Sequence, residues 1–118
     1  MPSERPVRRV RDIVENIERI ESYVQGLDQD GFQADGKTVD AVERCLSRIS
    51  EAAVKLGPTA EATCPDQPWP DIRNFGNTLR HGYDLIDGHR VWRTIADDLP
   101  PLKAACTNAL ARLGSGRP

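Results

Sequence analysis

The chain has 118 residues, 18 acidic against 16 basic, and a formal net charge of -2. A chain of this length supports one modest hydrophobic core, and its 38% hydrophobic and 29% charged composition is that of an ordinary globular domain. The charge balance excludes a histone-like protein coated in positive charge, although it leaves room for a local basic cleft.

The N-terminal stretch MPSERPVRRVRDIVENIERI is charged from its fourth residue, so it does not read as a signal peptide, and no apolar run reaches the length of a membrane span. A cytoplasmic protein is the expectation. Val10, Ile13, Val14, Ile17, Ile20, Val24 and Leu27 recur at steps of three and four, which predicts a long amphipathic helix beginning near Pro6. GLDQDGFQADGK follows as a polar connector of turn-forming residues.

A second stripe, Val39, Val42, Leu46, Ile49, Ala53 and Leu56, predicts another long helix, stopped by Gly57-Pro58. Four prolines between residues 58 and 70 predict a loop or a short irregular helix. Asp71 is then a candidate cap for a helix carrying Ile72, Phe75 and Leu79, and Asp87 for a short one carrying Val91, Ile95 and Leu99. Pro100-Pro101 is read as an interruption before a last stripe of Leu102, Ala105, Cys106, Ala109, Leu110 and Leu113. No segment alternates as a strand does. The expected fold is all-α, an antiparallel bundle of four to five helices, with one domain over residues 1–113 and a disordered tail over 114–118.

Cys45, Cys64 and Cys106 are far apart, and with two histidines they make no metal set of familiar spacing; Cys45 and Cys106 read as helix-packing thiols. Neither a metal nor a cofactor is expected. Asp97-Asp98 reads as a solvated helix end, because adjacent helical side chains diverge.

Chemistry concentrates in PWPDIRNFGNTLRHGYDLID, residues 68–87. Histidine titrates near neutrality and arginine neutralises phosphate, so Arg73, Asn77, Arg80 and His81 on one helical flank suit work on a phosphodiester. The plainer alternative is a helix C-terminus with Gly82 as its cap and Tyr83 half buried. Arg44 and Arg48 form an i,i+4 pair that either lines the same cleft or partners Glu51 and Asp40 on the surface.

The segments RDIVENIERIESYVQGL, AVERCLSRISEA, PWPDI, GNTLRHGYDLID and VWRTIADDLPPLK, in this order, resemble the HepT-like ribonuclease toxins of the HEPN superfamily. The similarity runs from about Val10 to Ala111. It implies an all-α homodimer with a cleft between protomers, and a metal-independent endoribonuclease toxin encoded beside an MntA-type nucleotidyltransferase antitoxin. The family signature is Arg, four to six residues, His, any residue, Tyr, and His81 and Tyr83 match its second half.

Gly76 stands where the signature places its Arg, and Arg73 lies one residue too far from His81. Arg73 and Arg80 flank Gly76 at one turn, and a bare glycine leaves space for either stem to fold across it. The resemblance then implies His81 as the catalytic histidine and Tyr83 as the tyrosine to which the partner transferase attaches AMP; the chemistry of metal-free RNA cleavage adds Arg80 and Asn77 to the catalytic set and Arg73, Arg44 and Arg48 as candidate phosphate contacts. A weakened module that binds RNA or nucleotides beside such a transferase is the rival expectation. A helical scaffold is the third.

Overall fold

The computed structural model describes residues 4–81 and 88–115, the side chains of Glu4, Arg5, Arg80, His81, Gly88, Gly114 and Ser115 excepted. Among the described residues there are seven α-helical segments, one π turn and no strand. Four long helices match four of the five expected helices: α1 (Glu4–Val24), α3 (Gly36–Leu56), α5 (Trp69–His81) and α7 (Leu99–Ser115). Three six-residue helices, α2 (Gln29–Ala34), α4 (Pro58–Thr63) and α6 (Gly88–Arg93), take the count past the expected four to five.

The extra helices have local causes. Asp28 caps α2 through Oδ1, which accepts from the Gly31 N–H at 2.8 Å. Asp35 closes α2 and opens α3, accepting from the Thr38 N–H and, at 2.8 Å, from the Thr38 hydroxyl. Those two hydrogen bonds hold the Asp35 carboxyl below its usual range. Part of the stretch read as a polar connector is therefore helix α2, whose one large apolar residue, Phe32, is fully buried. Gly57 ends α3 with φ +56°, donating its N–H to Ala53 O and Val54 O, and Pro58 opens α4 where its missing N–H costs nothing.

Helix α5 begins two residues before the expected cap. Asp71 lies inside its first turn, where its charge suits the positive end of the helix dipole, and the Trp69 indole N–H donates to Cys64 O at 2.8 Å to anchor the start. Asp87 lies outside the described residues.

Pro100 and Pro101 do not interrupt the chain. They occupy the first turn of α7, and the π turn Thr94–Asp98 precedes them, with the Leu99 N–H answering Thr94 O five residues back. The wider register accommodates the two donors the prolines lack. At the other end α7 continues through Ser115, two residues into the stretch read as a tail.

Val10, Ile13, Ile17 and Ile20 of α1 meet Val42, Cys45, Ile49 and Ala53 of α3 and Leu102, Cys106 and Ala109 of α7 in one core. All three cysteines are reduced and buried within it, and burial pushes the Cys106 thiol up to about 12. Lys103 of α7 reaches Glu21 of α1 at 2.9 Å. Among the described residues no helix is long and apolar enough to cross a membrane. Helix α3 therefore has α1 on one side and α5 on the other, which sets up the candidate site.

Candidate active site

Helix α5 lies antiparallel on α3, because Arg73 meets Ala53 and Gly57 while Gly76, further along, meets Ser50. Two clasps hold it there. Ser50, 3% exposed, donates its hydroxyl to Arg73 O at 2.8 Å and accepts from the Gly76 N–H at 3.0 Å. In return Arg73 sends its guanidinium to the end of α3, donating to Ala53 O at 3.3 Å and Gly57 O at 2.8 Å. Glu61 completes the arrangement with two hydrogen bonds to Arg73, at 2.6 and 2.9 Å.

These contacts give Arg73 a defined role. The carbonyls of Ala53 and Gly57 already accept backbone N–H groups, from Gly57 and Ala60, and the guanidinium adds a charged donor to each at the negative end of the helix dipole. The paired carboxylate fixes the fork of donors in place. The same contact holds the Glu61 carboxyl below its usual range and raises the Arg73 guanidinium further. Arg73, expected as a phosphate contact beside Gly76, is turned instead toward Glu61 and Gly57.

Gly76 itself is buried against α3. The space expected over it for an arginine stem is filled by Ser50. Asn77, the next residue, is exposed. The backbones of Arg80 and His81 close α5, while their side chains lie outside the described residues, as do Gly82 and Tyr83.

Arg44 and Arg48 are exposed on α3. At 100° per residue each leaves the helix about 160° from Leu46, which lines the neighbouring groove. The two arginines therefore do not line this groove. Glu51, one of the two surface partners expected for them, pairs with Lys55 at 3.9 Å.

The groove has a volume of about 920 Å³ and runs between α5 and the stretch from α6 to the start of α7. Its floor is apolar, with Leu46, Ile49, Ile72 and Leu99. Asn74 and Phe75 come from α5; His89, Arg90 and Arg93 face them from α6. The Arg90 guanidinium stands 5.5 Å from the centre of the Phe75 ring, a cation–π distance. His89 Nδ1 meets Gln29 Nε2 at 2.9 Å. Asp66, Asp71, Asp97 and Asp98 line the groove as well; Asp97 and Asp98 are exposed at the end of a helical turn, as expected, and border this cleft. Among the described residues no group of three acidic, His or Cys side chains is placed to hold a metal ion.

Sequence reasoning passed over His89, Arg90 and Arg93. The available signal was the hexapeptide GHRVWR, where one buried position, Val91, forces its polar neighbours outward.

The fold and the site describe a small all-α protein of the kind that carries an Asn/Arg/His-bearing helix on a bundle scaffold. The family model described as "Ribonuclease HepT-like" matches residues 13–109, and the chain belongs to this HepT-like ribonuclease family. It is 33% identical over 94 residues to "Probable ribonuclease HepT" of Thermococcus cleftensis, covering 80% of this chain and 86% of that protein. It is 28% identical over 92 residues to "Putative RNase MJ1380" of Methanocaldococcus jannaschii, covering 78% and 84%. No solved structure gives a significant match.

Proposed function

We propose that the protein is a metal-independent endoribonuclease that works as a homodimer, with His81 at its centre. The observation that carries this reading is the family match over residues 13–109, which includes the helix bearing Asn77, Arg80 and His81. Neutral His81 takes the proton from a ribose 2′-OH, and the freed oxygen attacks the adjacent phosphorus. The second protomer's His81 protonates the departing 5′-oxygen. Arg80 stabilises the charge that builds on the phosphoryl oxygens, and Asn77 orients His81 or holds one of those oxygens. Arg44 and Arg48, exposed on α3, remain proposed contacts for RNA lying across two protomers.

The likeness to HepT toxins supports pairing with a nucleotidyltransferase antitoxin, with Tyr83 as the residue that accepts AMP. An adduct there places a phosphodiester and a nucleoside beside His81, in space an RNA must enter.

A second reading has its own support. Gly76 stands where the family signature has Arg, its face is covered by Ser50, and Arg73 is committed to Glu61. Of the two arginines flanking Gly76 in sequence, Arg73 is thus turned away and Arg80 remains for phosphate, which suits a module that binds RNA without cutting it. Purified protein incubated with RNA in EDTA separates the two. Under the first reading wild type cleaves, and His81→Ala loses about 10²–10⁴-fold in rate while remaining folded. Equal cleavage by both proteins overturns the catalytic assignment; RNA binding without cleavage establishes the second reading.

A further inference from the structure

We infer that Ser50 is a positioning residue for His81, acting through the backbone of α5; the inference rests on the reading of His81 as the reacting base. Ser50 is one of the few polar side chains buried in the bundle, and both sides of its hydroxyl are used, one on Arg73 O and one on the Gly76 N–H. In a regular α-helix a mid-helix N–H is directed at the carbonyl four residues back, and side chains on neighbouring turns keep other groups away from it. A foreign oxygen reaches that N–H at 3.0 Å only where the helix surface is bare. Gly76 supplies the bare surface, and Ser50, between Ile49 and the small Ala53, supplies a short polar side chain to fill it.

The clasp lies just ahead of the end of α5 that carries Arg80 and His81. The turn from Arg73 to Gly76 is held from both sides, by Ser50 reaching into α5 and by Arg73 reaching back to α3. His81 stands five residues beyond Gly76, about 7.5 Å along the axis at 1.5 Å per residue. Groups inserted into a helix ladder set its bend, and a change in direction of about 20° at Gly76 moves the His81 backbone by roughly 2.5 Å. A displacement of roughly 1 Å in a reacting group is enough to cost about 10²-fold in rate. Gly76 thus has a use other than the one its place in the signature suggests: it lets α3 set the course of the segment that ends in Arg80 and His81.

The test uses the full chain carrying Ser50→Ala or Ser50→Thr, and two measurements. One is kcat and KM for RNA cleavage in EDTA. The other is the ring NMR signals of the chain's two histidines, with His89, which meets Gln29 of α2, as the internal control. Ser50→Ala is expected to lower kcat ten- to a hundredfold with KM within twofold, and to shift the His81 ring signals while His89 stays in place. Ser50→Thr keeps the hydroxyl and is expected to restore both. If wild type cleaves no RNA, the functional reading fails, and the ring signals still decide: movement of His81 alone, reversed by Ser50→Thr, supports positioning. Unchanged His81 signals, or equal shifts at both histidines, overturn it. If Ser50→Ala does not fold, Ser50→Cys, nearly isosteric with a weaker acceptor, undergoes the same comparison: a shift confined to His81 supports positioning, and any other pattern overturns it.

Discussion

The two walls of the groove are built on opposite plans. On the α5 side, polar groups turn inward: Arg73 and Ser50 spend every hydrogen bond described for them on backbone carbonyls, a backbone N–H and Glu61. On the α6 side the anchors are apolar, Val91 buried in the core and the half-buried Trp92 with its ring 5.4 Å from Phe32, and His89, Arg90 and Arg93 line the open cleft. Buried hydrogen bonds fix direction, because each has a narrow angular tolerance; apolar anchors hold a segment in place and leave its polar face for other tasks. A count of 13 arginines in the sequence therefore says little about how many remain to meet an anion.

The largest effect expected from this contrast lies under the α6 wall. Phe32→Ala removes a fully buried ring on which Trp92 leans, and should cost about 3–5 kcal/mol. Chemical denaturation measures it, and a loss below 1 kcal/mol would mean that the wall is anchored elsewhere.

The next effect sets one arginine against another. Arg73→Ala strips two carbonyls and Glu61 of a charged donor, at about 2 kcal/mol, or roughly 8 °C in Tm for a chain of this size. Arg93 meets Asp97 only at 4.0 Å with both side chains about two-thirds exposed, so Arg93→Ala should stay within about 0.5 kcal/mol. Similar melting temperatures for the two variants would erase the distinction between the walls.

The smallest effect is confined to acid. Glu61 has a folded pKa below its unfolded value, first because of its hydrogen bond with Arg73. Its contribution is therefore complete above the ordinary carboxylate pKa of 4.5 and is lost as pH falls through the lower folded value. Glu61→Gln should flatten the decline of stability below about pH 4.5 and leave its slope near neutrality unchanged. Unfolding curves collected from pH 3 to 7 check this, and parallel declines in both proteins would count against the clasp.

The four long helices were legible because each writes its buried face at a period of 3.6, and Ile13, Ile17 and Ile20 are buried as their spacing requires. Helix α2 was not, since a single Phe32 among polar residues carries no period. Pro100-Pro101 misled for a related reason: proline marks the loss of a donor, while the π turn that absorbs the loss is written in no residue type. Within the site, the grouping of Arg73, Asn77, Arg80 and His81 on one helix followed from spacing alone. The commitment of Arg73 to Glu61 and Gly57 did not, because those partners lie 12 and 16 residues away and meet it only through tertiary packing. Ser50 left a faint trace, a hydroxyl close to the inward stripe of Leu46, Ile49 and Ala53.

The π turn at Thr94–Asp98 also acts as a phase shift. It admits one residue more than an α-helix needs between α6 and α7, and each residue turns the axis by about 100°. With that residue removed, everything before the prolines would rotate by the same angle relative to Leu102, Cys106 and Ala109. Val91 would then leave the core, and Arg90 and Arg93 would sweep away from Phe75. The direction in which the cationic wall faces is set by the length of this turn as much as by the residues on the wall.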